Sequence, residues 1–172
     1  MQKNIILLFL LASSLAFSQE VDEQIRNLYS QKITLGKSLL ILDSQIVDLK
    51  LSKLQLDLQK VGLPELNTNE ELINHTAMSL VYSEKHEQAK WVAHIITADV
   101  IDGKVKRTNN FRKDPLVKTE SASTRDYFIK YKDEATGKYK CDGFGYDRGH
   151  LAPSADFRWS NKALSESYFY SN

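Results

Sequence analysis

Reactive side chains concentrate in four residues, Asp147-Arg148-Gly149-His150, within Tyr146-Asp147-Arg148-Gly149-His150-Leu151-Ala152-Pro153 and just ahead of Ser154-Ala155-Asp156. An imidazole titrates near neutral pH and can take a proton from water. A guanidinium offers a planar fork to phosphate oxygens. The glycine between them lets the backbone approach a ligand closely or bend sharply. Acid, cation and base in one short segment suit hydrolysis of a phosphodiester, with His150 as the base and Arg148 as the phosphate contact. Asp147 either supports the loop or touches a metal shell through water, the first reading being preferred.

A second source of cations lies upstream, where Arg107 and Arg112 flank Phe111. Either could offset charge on a phosphate, Arg112 slightly ahead of Arg107. Asp114-Pro115 reads as a turn. The other histidines read as structural: His75 in a turn, His86 on an exposed turn, His94 in a strand-like run. Phe157, Trp159, Tyr168, Phe169 and Tyr170 read as core packing, with stacking on bases as the alternative.

From Glu71 to Asn172 the chain resembles the DNA/RNA non-specific endonucleases, the secreted sugar-non-specific nucleases of the ββα-metal (His-Me finger) class. The blocks that carry the resemblance occur in order: Tyr82 to Ala93, Asn110-Phe111-Arg112-Lys113-Asp114-Pro115, Gly145 to Pro153, Ala155-Asp156, and Glu166 to Asn172. The resemblance implies a Mg²⁺-assisted enzyme, other divalent metals being open, in which His150 activates water. Its substrates would be DNA and RNA, cut with little sequence preference because the chemistry addresses the phosphate. It also implies that Tyr168-Phe169-Tyr170 is the second strand of the ββα unit. Two departures stand out. Asn109 occupies the position where some members carry the loop arginine. The family's direct metal-binding asparagine, on a helix after this strand, has no counterpart up to Asn172, and Asn172 itself aligns with an earlier asparagine. A C-terminally truncated nuclease domain of doubtful activity is therefore expected, with no metal ligand assigned.

The elements that must position these residues follow from the rest of the chain. Lys3, the apolar run Ile5 to Leu11 and Ala16-Phe17-Ser18 read as an export signal over residues 1–18, implying a periplasmic or secreted protein with no stable membrane association after cleavage. Residues 19–62 read as one long amphipathic helix. Leu28, Leu35, Leu42, Leu49 and Leu56 recur every seven residues, with Ile25, Leu39 and Ile46 in a second row. Such heptads indicate a coiled coil, hence a homo-oligomer through residues 22–60. The alternative is a stripe that packs on the rest of the protein. Gly62 and Pro64 stop the helix, residues 63–70 are a linker with a short helix from Glu70, and residues 71–172 are the nuclease domain. Met78 to Tyr82 and Trp91 to Thr97 read as strands, and Lys130 to Gly145 as a loop or irregular hairpin. The expected fold is α+β, a ββα-metal domain with a mixed or antiparallel sheet behind a long helix.

Net charge is +1 over 172 residues, but it is unevenly distributed. Residues 20–102 hold 13 acids and 8 bases, whereas residues 103–150 hold 12 bases and 7 acids. The basic half surrounds the candidate site, as a polyanionic substrate favours. A single cysteine, Cys141, excludes a disulfide within the chain. The rival reading is a secreted coiled-coil interaction protein carrying an inactive, truncated nuclease remnant.

Overall fold

A computed structural model describes residues 2–143 and 147–172, with the backbone alone for residues 2–17. Gly145 and Tyr146 of the motif lie outside the described residues. The chain forms two compact units, residues 1–48 and 49–172. Among the described residues no helix is long and apolar enough to cross a membrane.

Helix α1 runs from Gln2 to Val61. No proline interrupts it, and it closes where Gly62 adopts φ +94° and donates its N–H to the Leu58 carbonyl at 3.2 Å. A left-handed residue is cheap only for glycine, so the sequence sets this end. In the first unit the heptad leucines Leu28, Leu35 and Leu42 are 64%, 69% and 54% exposed. In the second unit the helix buries Leu51, Leu54 and Leu58, while the heptad positions Leu49 and Leu56 stay exposed. The domain thus takes a different face of the helix from the heptad stripe. Each buried leucine contributes about 1.5–3 kcal/mol. Gln55 also donates to the His75 carbonyl, and Lys50 pairs with Asp99.

The second unit is α+β. Strands β1 (Leu72–Asn74), β2 (Met78–Ser83) and β3 (Gln88–His94) form an antiparallel sheet in the order β1-β2-β3. Both faces of β2 are buried, which explains its nearly unbroken apolar run. A core of Ile73, Leu80, Ala89 and Val117 packs with Tyr82 and Val92. The short helix expected from Glu70 is replaced by a turn, Glu70 N–H to Asn67 O at 3.0 Å, and by β1. Leu72 and Ile73 gain more by pairing with Val81 and Leu80 than an isolated helical turn would supply.

A one-turn helix α2 (Thr124–Tyr127) leads into the hairpin β4 (Phe128–Lys132) and β5 (Tyr139–Gly143), which is regular over five residue pairs. A 3-10 turn at Ser154–Phe157 precedes α3 (Asn161–Ser167), whose N-cap Ser160 accepts from the Ala163 N–H. The expected strand Tyr168-Phe169-Tyr170 is instead a single parallel bridge to Arg112. Turn bonds from Tyr168 to Ser165, Phe169 to Glu166 and Asn172 to Phe169 hold this segment in a coil, so only one exchange remains: Arg112 N–H to Tyr168 O and Tyr170 N–H to Arg112 O.

Candidate active site

His150 and Arg148 are brought to one open cleft of about 510 Å³, together with Asp147, Phe111, Tyr127 and Tyr170. The backbone after the motif is held from below. The Asn172 side chain accepts from the Ala152 N–H at 2.8 Å and donates to the carbonyls of Ala152 and Ser167. These three bonds to backbone make it a brace for the base-bearing segment.

The His150 ring lies edge-on to Tyr168, with centroids 4.6 Å apart, and tilted against Phe111 at 5.0 Å. Its Nε2 is buried without a hydrogen-bond partner among the described residues, and the residue lines the cleft. Burial, and then the positive charge of Arg107, push the imidazole pKa below 6.5. The ring is therefore neutral at pH 7 and able to accept a proton.

Arg148 is held in a frame of aromatics. Its guanidinium lies 4.9 Å from the Phe111 centroid and 5.0 Å from that of Phe128, and it donates to the Tyr170 hydroxyl at 3.3 Å. Tyr127 stacks on Tyr170 at 5.2 Å, and Thr124 bonds the same hydroxyl at 3.0 Å. The frame limits the guanidinium's freedom and leaves its remaining donors for an anion. Asp147 is exposed at the rim.

The two upstream arginines part company. Arg112 points away from the cleft: it donates to Ser165 O at 2.8 Å and Ser165 Oγ at 2.9 Å, and sits 4.2 Å over Phe169. Those contacts make it a tie between the loop and α3. Arg107, ranked lower from sequence, donates to the Tyr168 hydroxyl at 3.2 Å and acts electrostatically on His150. Sequence could not separate them, because both flank Phe111 and their partners, Tyr168 for one and Ser165 for the other, lie more than fifty residues away.

Other residues reach the cleft without a warning in the sequence. The β2–β3 turn brings His86 and Glu87, the latter at φ +50°, and α2 brings Asp126. Asp126 already accepts from the Ser123 N–H and hydroxyl. Among the described residues no three His, Cys, Asp or Glu side chains gather as an ion site. Mg²⁺ needs only one or two carboxylates beside substrate phosphates and waters, and among the described residues the cleft lining offers those of Glu87 and Asp147. Gly149 has no left-handed φ, and a Cβ there would meet none of the described residues. The close approach expected of it is therefore not to other protein atoms.

Two other histidines, His75 buried and His94 half-buried, are satisfied by carboxylates. His75 Nε2 lies 2.8 Å from Asp114 Oδ2, both side chains being almost wholly buried. The Asp114 carboxylate also accepts from the Ser171 hydroxyl and from Leu116 N–H. His94 Nε2 lies 2.9 Å from Asp156 Oδ2.

Comparison with known proteins identifies the family. The sequence profile of the family described as DNA/RNA non-specific endonuclease matches residues 55–172. The chain is 31% identical over 118 residues to human mitochondrial endonuclease G, covering 67% of this chain and 34% of that protein. It is 30% identical over 116 residues to mouse mitochondrial nuclease EXOG, covering 67% and 27%. It is 30% identical over 120 residues to the mitochondrial nuclease of Saccharomyces cerevisiae, covering 66% and 30%. The matched region spans about a third of the length of these relatives.

Proposed function

The chain belongs to the DNA/RNA non-specific endonuclease family, and we propose that it hydrolyses phosphodiester bonds of DNA and RNA with little sequence preference. The observation that carries the reading is one cleft holding a neutral, desolvated His150 beside the braced Arg148. In this reaction His150 takes a proton from water as the water oxygen attacks phosphorus. The bond from phosphorus to the leaving 3′-oxygen breaks, and that oxygen leaves as a hydroxyl once protonated from solvent. Arg148 binds the phosphate oxygens on which charge grows, and burial, with Arg107 second, favours the deprotonated form of His150. A divalent metal, Mg²⁺ by resemblance, is the proposed cofactor.

Plasmid DNA and total RNA, incubated with the chain and Mg²⁺, test this reading. Cleavage abolished by EDTA and by His150→Ala is expected. Cleavage that survives His150→Ala would remove the histidine from its role, and no cleavage by the parent would favour the interaction-protein reading.

We also propose export directed by residues 1–18, supported by the Lys3, Ile5–Leu11 and Ala16-Phe17-Ser18 pattern. Self-association through residues 22–60 is proposed on a separate observation: the heptad leucines are exposed in both units, and the domain buries Leu51, Leu54 and Leu58 instead. Sedimentation of the parent against Leu35→Asp/Leu42→Asp should show an oligomer reduced to monomers. A monomeric parent would sink the idea.

A further inference from the structure

The β4–β5 hairpin starts beside the cleft, where Phe128 meets Arg148, and beyond that root it is exposed. From Ile129 to Gly143 none of its residues is buried. A lone two-stranded hairpin is marginally stable in water, so the chemistry carried on its faces is informative. Residues directly opposite one another share a face, and successive residues along a strand alternate. One face therefore carries the pairs Phe128–Gly143, Lys130–Cys141 and Lys132–Tyr139. The other carries Ile129–Asp142 and Tyr131–Lys140.

Charge is segregated between them. On the second face Lys140 is paired with Asp133, and Asp142 accepts from the Tyr131 hydroxyl at 3.4 Å. The first face has two lysines and no acid, and neither lysine forms an ion pair among the described residues. Lys130 Nζ sits 4.6 Å over the Tyr139 ring, which is 68% exposed. At the hairpin's root, Phe128 on this same face stacks 5.0 Å from the Arg148 guanidinium. A continuous path thus leads from Arg148 over Phe128 to Lys130 and, about 7 Å further out, to Lys132 and Tyr139.

We infer that this face is an accessory binding track for a polynucleotide. Lys130 and Lys132 hold phosphates that flank the one at Arg148, and Tyr139 is a platform for a neighbouring base. Cations tracking the backbone beside an exposed aromatic ring are the recurrent means of holding nucleic acid without reading its sequence. The inference rests on the nuclease reading, since it takes the ligand in the cleft to be a polynucleotide. It adds that the contact extends beyond the scissile phosphate along one side of the hairpin.

The test uses the full chain in EDTA, so that binding is read without cleavage. Fluorescence anisotropy of a labelled 20-nucleotide single strand and a 20-base-pair duplex is titrated across salt concentrations. The parent is compared with Lys130→Gln/Lys132→Gln and with a control of equal charge, Lys37→Gln/Lys162→Gln. The hairpin variant should bind on the order of tenfold more weakly at low salt, and its log affinity against log salt should flatten by about 1.4 on the single strand. The control should track the parent much more closely. A second readout tolerates a poorly folded variant: a benzophenone attached to the parent's Cys141, exposed and opposite Lys130, should crosslink to the bound strand under light. Crosslinking to only one of the two ligands would support the track and name the strand form it takes. A parent that binds, with a hairpin variant matching the control and no crosslink at Cys141, overturns the track and leaves the nuclease reading standing. A parent that neither binds nor cleaves polynucleotides overturns both.

Discussion

His75 and His150 share a domain and similar company, for each ring packs on aromatic neighbours: Phe169 at 5.1 Å for one, Phe111 and Tyr168 for the other. Their polar surroundings are opposite. His75 meets the Asp114 carboxylate, which Ser171 and the Leu116 N–H also satisfy. His150 meets no acid among the described residues, has a buried Nε2 without a partner and feels the charge of Arg107. Burial alone would raise the Asp114 pKa, but hydrogen bonds from His75 and Ser171 hold it below 3.8. One histidine thus belongs to a closed network that stabilises the fold. The other is left incompletely satisfied, the condition under which a side chain does chemistry. His94 with Asp156 belongs with the first kind.

Two substitutions should separate these roles, and they carry the largest effects. His150→Ala should lower the cleavage rate by about 10²–10⁴-fold while leaving the thermal midpoint nearly unchanged, as activity assays and calorimetry on the same preparation would show. Asp114→Ala should do the reverse, costing about 3–5 kcal/mol of stability by stranding a buried partner, with cleavage retained at low temperature. The contrast breaks if Asp114→Ala unfolds no earlier than the parent. Acid adds a second signature. The Asp114 contribution is fully present above pH 3.8 and is lost as pH falls through its lower folded-state value. His150 acts earlier: its folded-state pKa lies below 6.5, so the unfolded chain binds the proton first and stability begins to fall as pH drops below 6.5. His150→Ala should erase that earlier slope.

The sequence was legible where local chemistry decides. Gly62 closes α1, the largely apolar run from Met78 marks a strand, and Asp147-Arg148-Gly149-His150 lies at the cleft. His75 and His94 also read correctly as structural, although their partners, Asp114 and Asp156, are 39 and 62 residues away and no local pattern reveals them. It was illegible where one long-range contact decides. Tyr168-Phe169-Tyr170 has the composition of a strand, but turns around Ser165 and Asn172 leave it a single bridge. The Arg112 side chain, likewise, is held by Ser165 and Phe169, over fifty residues on. The arrival of His86 and Glu87 at the cleft depends on the register of β2 with β3, which the residues of the turn do not encode.

Arg107 offers an intermediate effect on the reactive side of the comparison. Arg107→Gln removes the second cause of the depressed His150 pKa and leaves burial, the first. The acidic limb of the pH–rate profile should move to higher pH yet stay below 6.5. Arg112→Gln, whose contacts are with Ser165 and Phe169, should leave the limb in place. A limb that moves with Arg112 and not with Arg107 would reverse the assignment of the two arginines.

The smallest effect should come from Gly149→Ala. Residue 149 has no left-handed φ, and an added methyl would meet no atom of the described residues. A glycine replaced without strain usually stabilises by about 0.4–1 kcal/mol, because the unfolded chain loses freedom. The thermal midpoint should therefore rise slightly. The space the methyl enters is nevertheless the cleft between Arg148 and His150, where a phosphate backbone has to approach. Cleavage should show a raised KM for plasmid DNA in a protein that is, if anything, more stable. A variant with raised stability and unchanged KM would mean that substrate reaches His150 from a side that Gly149 does not border, and the cleft would have to be redrawn around His86 and Glu87.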